Sequence, residues 1–398
     1  MITVEEASSI IQSNLFKPRE ISVPLDQCNG MTLAEPIHAD RDFPPFDRVM
    51  MDGVAIASKS FYSDQRNFTI EGVQMAGMPQ LTLNDPSKCI EVMTGAVLPK
   101  NTDAVIRYED VTIENRVVSI NSDTVESMQN VHLQGMDSAK DTVLIRNGTK
   151  ISTAEIGILA TVGKGEVMVY APPKVAIVST GDELVSVREI PKEYQIRQSN
   201  SHVLKAALMG MGIEATIFHI IDEQAQMNKA MDKIFTEHDV MILSGGVSKG
   251  RKDFVPEVLN ELGVKKLFHG VKQRPGKPFW FGTREDNKTV FALPGNPVST
   301  FMCFYKYIKP WINASLLVKE KAEFGILNEG FTFDKPMTYF LQVKVSNVDG
   351  QLIATPVQGQ GSGDLGNLLL ADGFLELEQT VSNFSKGKVF PFIRYRSA

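Results

Sequence analysis

Three glycine-containing segments in one stretch of the chain carry the side chains best suited to chemistry. They span Ser244–Asp253, Arg274–Pro278 and Leu293–Val298, and between them supply basic groups, hydroxyls and one carboxylate. Glycine lets backbone N–H groups approach an anion closely, and a helix N-terminus adds a favourable dipole. Together the segments indicate a pocket for a phosphorylated or oxyanionic ligand.

Carboxylates follow the predicted strands of the same region. Thr180–Glu183 follows one strand, Asp222 follows the next, and Asp253 closes the first glycine segment. The carboxyl ends of parallel strands meet at one edge of a sheet, where ligands bind. Several acids at one edge repel each other unless a cation lies among them, and Mg²⁺ prefers one or two carboxylates plus substrate phosphates. We therefore predict Glu183, Asp222 and Asp253 as ligands of Mg²⁺.

Each of these features also has a simpler explanation. Thr180–Glu183 can be a turn with a capping acid, and Asp222 and Asp253 can be helix N-caps. Arg274 and Lys277 can be a solvated turn. The histidines show no zinc-binding spacing such as H-E-x-x-H. Residue types alone leave these explanations open, and the common location of the acids favours a site.

The elements that position these residues alternate between strand and helix after Lys174. The strands are predicted at 174–179, 213–221, 240–243 and 289–293, and the helices at 200–210, 225–235, 253–262 and 297–310. The last helix is expected to begin at Pro297 and to end at Pro310. This alternation predicts a doubly wound αβ layer with a mostly parallel sheet.

The flanking regions follow other periods. Residues 1–15 read as an amphipathic helix with a capping box formed by Thr3 and Glu6, and 153–162 as a helix that stops at Gly163. Alternation of period two returns after about residue 315, where Asp349-Gly350 signals a hairpin and a small β-barrel is expected.

The expected fold is multidomain, α/β plus β. A helical or linker domain is predicted at residues 1–20 with 137–170, and an inserted β-rich domain at 21–136. An αβ ligand-binding domain is predicted at 171–314 and a C-terminal β-barrel at 315–398.

Composition limits the class of protein. A chain of 398 residues is too long for one compact core, and 43% hydrophobic with 22% charged residues is ordinary for a soluble protein. The net charge of −6 argues against nucleic-acid binding, which needs a basic face. The three cysteines are far apart and odd in number, which fits free thiols in a reducing compartment. Without a long apolar run or a signal peptide, we expect no membrane partner and a cytoplasmic location.

A second cluster lies in the N-terminal half of the chain. Pro44–Ala55 combines prolines with an Asp52-Gly53 turn, and Met93–Ala96 and Asn101–Asp110 are rich in loop-forming residues. Each of the three could be a purely structural turn, and composition alone assigns no function to them.

Taken together, these motifs resemble a known family. Pro44-Pro-Phe-Asp47 with Met51-Asp-Gly53, Met93-Thr-Gly95 and the αβ motifs described above resemble, in order, the molybdopterin molybdenumtransferases. This is the MoeA family, whose eukaryotic relatives include the E domain of gephyrin. The resemblance implies Mg²⁺-dependent insertion of molybdate into adenylated molybdopterin, with release of AMP. It also implies an elongated four-domain subunit in a homodimer, with the cleft between the αβ domain of one subunit and the β-barrel of the other.

The resemblance also nominates residues, position by position. It implies catalytic roles for Asp52, Thr94, Glu183, Asp222, Asp253, Arg274 and Ser362. It implies ligand-binding roles for Asp137, Thr180, Gly181, Asp182, Ser244, Gly245, Gly246, Ser248, Pro275, Gly276, Lys277, Pro294, Gly295 and Asn296. Ser362 lies in a glycine turn far along the chain from the acids, so we expect it to act across a dimer. Contact with the molybdopterin adenylyltransferase or with recipient molybdoenzymes is a further implied partnership.

Three positions depart from the family pattern. Gly270 stands where a lysine is usual, and His132–Gln134 where basic residues are usual. Leu341 and Gln342 stand where an arginine is expected. Lys272, Lys249, Arg251 and Lys252 are candidates to compensate. If Gly270 and Leu341 replace two cations, molybdate should bind weakly.

Two other classes of function stay open. One is a non-catalytic scaffold that binds molybdopterin, as in gephyrin. The other is a related αβ nucleotide pyrophosphatase without a molybdenum role, although such an enzyme would not need the N-terminal motifs or the barrel.

Overall fold

The computed structural model describes residues 1–246, 254–359 and 361–396. Ser248, Lys249, Arg251, Lys252 and Asp253 lie outside the described residues, so their predicted roles stay predictions. The chain forms two compact units. The first comprises Met1–Ala34, Gly148–Thr153 and Glu166–Ala398, and the second comprises Glu35–Asn147 and Ala154–Gly165. Within the described residues, no helix has the length and apolar character needed to cross a membrane.

A six-stranded sheet forms the αβ layer of the first unit. Its strands, in spatial order, are Ala215–Ile220, Val175–Thr180, Val240–Ser244, Lys288–Leu293, Trp280–Arg284 and Lys265–His269. The first four strands pair in parallel, whereas Trp280–Arg284 pairs antiparallel with both of its neighbours, which confirms the mostly parallel sheet. Every residue of the two central strands that begin at Val175 and Val240 is buried, as expected when helices cover both faces. The strands Trp280–Arg284 and Lys265–His269 were not predicted, because Gly282 and Lys265-Lys266 break the apolar pattern.

Helices cover both faces of this sheet. The helices described in this unit are Val4–Gln12, Asn200–Met209, Gln224–Glu237, Val255–Glu261, Pro297–Cys303 and Lys309–Ser315, with a π-helical segment at Phe304–Ile308. Alternate residues of one strand belong to different cores: Ile177 packs in one cluster, whereas Ala176 and Val178 pack in the other. Met227 and Met231 are buried in the second cluster, so the methionine-rich helix belongs to the core.

Local interactions explain where two of the helices begin. The Thr3 hydroxyl accepts the N–H of Glu6 at 3.1 Å, and the Glu6 carboxylate accepts the N–H of Thr3 at 2.7 Å, which confirms the capping box. The predicted stop at Pro310 is wrong, because Pro310 lies in the first turn of Lys309–Ser315. Proline is tolerated in a first turn because the N–H that it lacks has no partner within that helix. The π-helical segment before Lys309 continues the helix up to this point.

A closed five-stranded barrel completes the first unit. Going round it, Thr338–Val348 is followed by Gln351–Pro356, Glu323–Leu327, Val389–Arg394 and Gly373–Leu377, which pairs again with Thr338–Val348. Asp349 and Gly350 adopt φ of 50° and 81°, the left-handed pair that a two-residue hairpin turn requires, so the predicted hairpin is confirmed. The two-residue strand Gln273–Arg274 adds in parallel beside Thr338–Val348 and joins the αβ layer to the barrel.

Small elements fill out this unit. These are the strands Glu20–Pro24, Thr32–Leu33, Glu166–Tyr170, Leu184–Val185, Ile196–Arg197, Phe331–Thr332 and Asn383–Phe384, and the 3₁₀ turns Leu25–Gln27 and Leu365–Leu369.

The second unit is built on another six-stranded sheet. Its strands, in spatial order, are Ala104–Arg107, Gly53–Ile56, Lys88–Val92, Asn67–Gln74, Val117–Ile120 and Val111–Glu114. Two short strand pairs join Arg48–Val49 to Val131–His132 and Ile37–His38 to Val143–Ile145. Ser58–Tyr62 is a short helix and Tyr108–Asp110 is a 3₁₀ turn. The helix Thr153–Thr161 stops before Gly163, as predicted. Short strands and turns were expected throughout this region, and the structure confirms them.

Candidate functional site

The carboxyl ends of four parallel strands define one edge of the αβ sheet. The strands end at Ile220, Thr180, Ser244 and Leu293, in spatial order. The loops that follow them therefore lie side by side, as the sequence predicted. Acids follow the first two strands, glycines follow the third, and the Pro294–Asn296 turn follows the fourth.

The acidic side of this edge is built by two loops tied together. The Asp182 carboxylate accepts the backbone N–H of Asp222 at 3.3 Å, and His219 Nε2 lies 3.1 Å from the carbonyl oxygen of Gly181, to which it donates. Gly181 has φ of 136°, and a Cβ there would lie 2.6 Å from a carboxylate oxygen of Glu183. Only glycine lets Glu183 fold back in this way. Asp182 thus ties the two loops together and does not cap the helix Gln224–Glu237, whose N-cap is Glu223.

The carboxylates here supply oxygen donors alone. No group of three or more His, Cys, Asp or Glu residues within the described ranges could hold a metal ion by itself. Asp182 and Glu183 are exposed and Asp222 is half-buried. Hard oxygen donors fit Mg²⁺, which commonly keeps open positions for substrate phosphates and water. The set therefore fits a metal that arrives with a phosphorylated ligand.

The glycine loop after the third strand packs closely against the end of the second strand, at Thr180. Gly245 and Gly246 have φ of 100° and 69°, and a Cβ on Gly245 would lie 2.9 Å from the carbonyl oxygen of Thr180. The Gly245 N–H donates to the carbonyl of Leu293 at 3.1 Å, so it is not free to bind an anion. Thr180 Oγ1 is buried and has no hydrogen-bond partner among the described residues.

Asn200 joins two of these loops and was missed from the sequence. Its side-chain amide donates to Ser244 Oγ and to the carbonyl of Gly295, both at 2.8 Å. The sequence placed Asn200 only at the start of the helix predicted at 200–210, and Ser199, the capping residue, makes no side-chain cap bond. An asparagine at a helix start near a sheet edge was the available signal. Asn200 holds the third and fourth strand ends in register.

A cavity of about 660 Å³ lies on the opposite side of the edge, between the αβ layer and the barrel. Three cations line it, Arg274, Lys277 and Lys335, together with the polar side chains of Asn296 and Ser362. No carboxylate occurs among its described lining residues. The nominated Pro275, Gly276 and Pro294 line it too. This arrangement is suited to an anion.

A buried glutamine fixes the turn that presents two of these cations. Gln273 is fully buried; its amide donates to the carbonyl of Gly276 at 3.0 Å and its oxygen accepts the hydroxyl of Tyr307. Gly276 has φ of 91°, and a Cβ there would lie 2.7 Å from Gln273 Nε2 and 2.8 Å from Cys303 Sγ. Gln273 was not predicted, since a glutamine beside Arg274 gives no sign of burial.

Ser362 reaches the αβ layer within its own chain. Asn296 donates to Ser362 Oγ at 2.8 Å, and the N–H of Val298 donates to the carbonyl of Ser362 at 3.1 Å. The premise that Ser362 can reach this edge of the sheet only from another subunit is therefore wrong, and the dimer itself stays a prediction. Sequence distance did not show that the barrel brings the Gly361–Gly363 turn back to the sheet edge.

The structure changes the interpretation of two departures from the family pattern, those at Leu341 and Gly270. Leu341 is 2% exposed inside the barrel core, whereas Gln342 lines the cavity, so the position facing the ligand is Gln342. Gly270 does not line the cavity; it has φ of 88°, and a Cβ there would meet Met1 at 3.1 Å. The hypothesis that Leu341 replaces a cation is therefore wrong, because strand alternation turns it inward.

The remaining nominated residues belong to the second unit. The N–H and hydroxyl of Thr94 both donate to Asp52 Oδ1, at 2.6 and 2.8 Å. The backbone donation, followed by the hydroxyl, lowers the pKa of Asp52 below its ordinary value.

Asp137 lies in a chain of side chains in the same unit. Arg48 Nη2 lies 3.0 Å from His132 Nδ1, and His132 Nε2 lies 2.9 Å from Asp137 Oδ1. Since arginine can only donate, His132 Nδ1 accepts and Nε2–H donates to Asp137. His132 is one of the positions at which the resemblance implied a basic residue, and Arg48 supplies a positive charge behind it.

Comparison with known proteins agrees along the whole chain. The MoeA N-terminal region (domain I and II) matches residues 2–163, a probable molybdopterin binding domain matches 176–314, and the MoeA C-terminal region (domain IV) matches 325–395. A molybdopterin molybdenumtransferase from Synechocystis sp. is 40% identical over 98% of this chain and 99% of its own. One from Haemophilus influenzae is 30% identical over 98% and 97%. The structure of the molybdopterin biosynthesis protein MoeA from Pyrococcus horikoshii aligns with a TM-score of 0.86 at 28% identity, over 100% of both chains.

An αβ layer with ligand-binding loops at its carboxyl edge, joined to a C-terminal barrel, defines a multidomain protein with a domain of the molybdopterin-binding type. The matches extend this class over the entire chain. The chain belongs to the MoeA family.

Proposed function

We propose that the protein is a molybdopterin molybdenumtransferase. In this proposal it inserts molybdate into adenylated molybdopterin with the help of Mg²⁺ and releases AMP. Full-length relatives that carry this activity in their names support it. The observation that carries it is the division of charge along one sheet edge, with acids at one end and, at the other, a cavity whose described lining holds three cations and no carboxylate.

The two ends suit two different parts of the reaction. Glu183 and Asp222, with Asp253, would hold Mg²⁺, which when bound neutralises phosphate oxygens of the adenylate linkage. Arg274 and Lys277 would hold the oxygens of molybdate through charge-assisted hydrogen bonds. The Asn200 bridge keeps the loops between these ends in register. Holding both substrates in one fixed geometry is the main contribution the described residues can make.

The residues of the second unit would take part through their carboxylates. Asp52 is kept ionised by Thr94, and Asp137 receives the His132 N–H. Both are proposed to contact the pterin substrate. A homodimer, and contact with the adenylyltransferase or with recipient molybdoenzymes, are proposed on the family resemblance alone.

A reconstitution assay tests this proposal against the two alternatives. Purified protein, Mg²⁺ and adenylated molybdopterin are mixed with and without molybdate, and AMP and metal-loaded cofactor are measured. The transferase is expected to release AMP together with loaded cofactor when molybdate is present. A scaffold would release no AMP, and a plain pyrophosphatase would release AMP regardless of molybdate without loading metal.

A further inference from the structure

Lys335 lies on a loop that is anchored at both ends. On one side, the N–H of Phe333 donates to the carbonyl of Ser382 at 2.8 Å. On the other, the N–H of Thr338 donates to the carbonyl of Lys272 at 3.0 Å. Within the loop the N–H of Met337 donates to the carbonyl of Lys335 at 2.8 Å. The backbone of Lys335 is therefore held in one place at the cavity wall.

The same loop approaches Arg274. Gln273–Arg274 pairs in parallel with Thr338 and Tyr339, and the Arg274 guanidinium carbon lies 5.9 Å from the centre of the Phe333 ring. The ring of Phe333 in turn stacks on Tyr339 at 4.4 Å. These contacts bring the Lys335 loop and the Arg274 turn to one cavity.

In the part of the chain that the structure describes, the cations of the cavity have no anionic partner. None of Arg274, Lys277 and Lys335 forms an ion pair with any described carboxylate. Three positive charges facing one cavity repel each other unless an anion lies among them. The neutral Gln342, on the adjoining strand, leaves one wall of the cavity without charge, and its amide oxygen already accepts the Asn367 amide at 2.9 Å.

We propose that this cavity is an oxyanion pocket and that Lys335 supplies its third cation, beside Arg274 and Lys277. Its ligand is a tetrahedral dianion such as molybdate, which Arg274 and Lys277 also hold. The inference rests on the proposed function and makes Lys335 a specificity-determining residue of that site. Lysine carries a compact point charge on a flexible stem, so its ammonium can approach the ligand from this loop.

Calorimetric titration of the full-length protein with molybdate tests this assignment. Lys335→Ala is expected to weaken molybdate binding by about tenfold to a hundredfold, the value of one charge-assisted contact. Lys344→Ala is the matched control, because Lys344 is an exposed lysine on the adjoining strand that does not line the cavity. It removes the same charge and should leave molybdate affinity unchanged. Equal affinities for the two variants would overturn the proposal.

A rescue variant separates charge placement from damage to the loop. Lys335→Ala combined with Gln342→Arg is expected to recover most of the lost molybdate affinity, since it returns a cation to the same cavity. Circular dichroism checks that each variant is folded. Failure of a folded rescue variant to bind better than Lys335→Ala would overturn the idea that Lys335 and position 342 serve one pocket.

Turnover distinguishes this inference from the proposed function. In the reconstitution assay Lys335→Ala should raise the molybdate concentration for half-maximal AMP release and leave the rate at saturating molybdate unchanged. Wild-type protein that binds molybdate through Lys335 but releases no AMP would refute the transferase and retain the pocket. Wild-type protein that releases AMP with a molybdate dependence unaffected by Lys335→Ala would refute the role of Lys335 alone.

Discussion

At the scale of single residues, Asp222 carries the sharpest prediction about chemistry. Asp222→Asn keeps the size of the side chain and removes its charge, so it should lower the rate of AMP release by about 10²–10³, as loss of one preorganised electrostatic group does. Quenched time-point assays of AMP release at saturating Mg²⁺ measure this rate. Asp239→Asn is the contrast: Asp239 pairs with Lys288 and accepts the Lys174 N–H at the opposite end of the sheet, so its loss should lower stability and spare the rate. Near wild-type turnover of Asp222→Asn would make Asp222 a structural residue.

Asp52 allows a prediction about protonation. Its folded-state pKa is lowered first by the Thr94 N–H and then by the Thr94 hydroxyl. The contact therefore stabilises the fold above the unfolded pKa, and this stabilisation is lost as pH falls through the folded pKa. Thr94→Val removes the hydroxyl and keeps the N–H, so the pKa of Asp52 should rise part of the way to its ordinary value.

Carboxyl carbon NMR titration measures the pKa of Asp52 directly, and Thr94→Ser, which keeps a hydroxyl, should match the wild type. An unchanged pKa in Thr94→Val would mean that the backbone N–H alone sets it.

What the sequence could show of the site depended on residue type. Acids after strands and glycines in turns are recognisable, and Asp222, Gly245 and Arg274 lie where the pattern predicted. Asn200, Gln273 and Lys335 were missed, because their roles come from contacts with segments distant in the chain. No local spacing encodes such contacts.

At the scale of elements, the turn at Gly276 is the most tightly constrained. Gly276→Ala should destabilise the protein by roughly 1–2 kcal/mol from its positive φ and by about 1–3 kcal/mol more from overpacking against Gln273 and Cys303. Gly212→Ala is the matched control, since Gly212 has φ of 76° with open space around it. It should show the backbone cost alone. Urea unfolding of both variants gives the difference, and equal losses would mean that the Gly276 surroundings relax freely.

Element prediction succeeded where a period was strong and failed where tertiary contacts decided. The helix predicted at 200–210 and the strand predicted at 240–243 match the structure closely, because the helix buries residues at helical spacing and the strand is a continuous apolar run. The helix end at Pro310 failed, since a π-helical turn placed that proline in a tolerated position. Leu341 was taken for a ligand position because the register of a barrel strand cannot be read without its partner strands.

At the scale of the whole molecule, assembly is the open question, and the family resemblance predicts a homodimer. The resemblance implies a cleft shared by two subunits, and Arg274, Lys335 and Ser362 of a single chain already line one cavity. If the second subunit only adds to this cavity, molybdate should bind to monomer and dimer alike. If turnover needs both subunits, AMP release per chain should fall on dilution below the dissociation constant of the dimer.

Light scattering at micromolar concentration is expected to give twice the mass of a single chain, and AMP release measured across the same dilution series then assigns the role of the partner. A monomer with full activity would contradict the dimer and would leave the site complete within one chain.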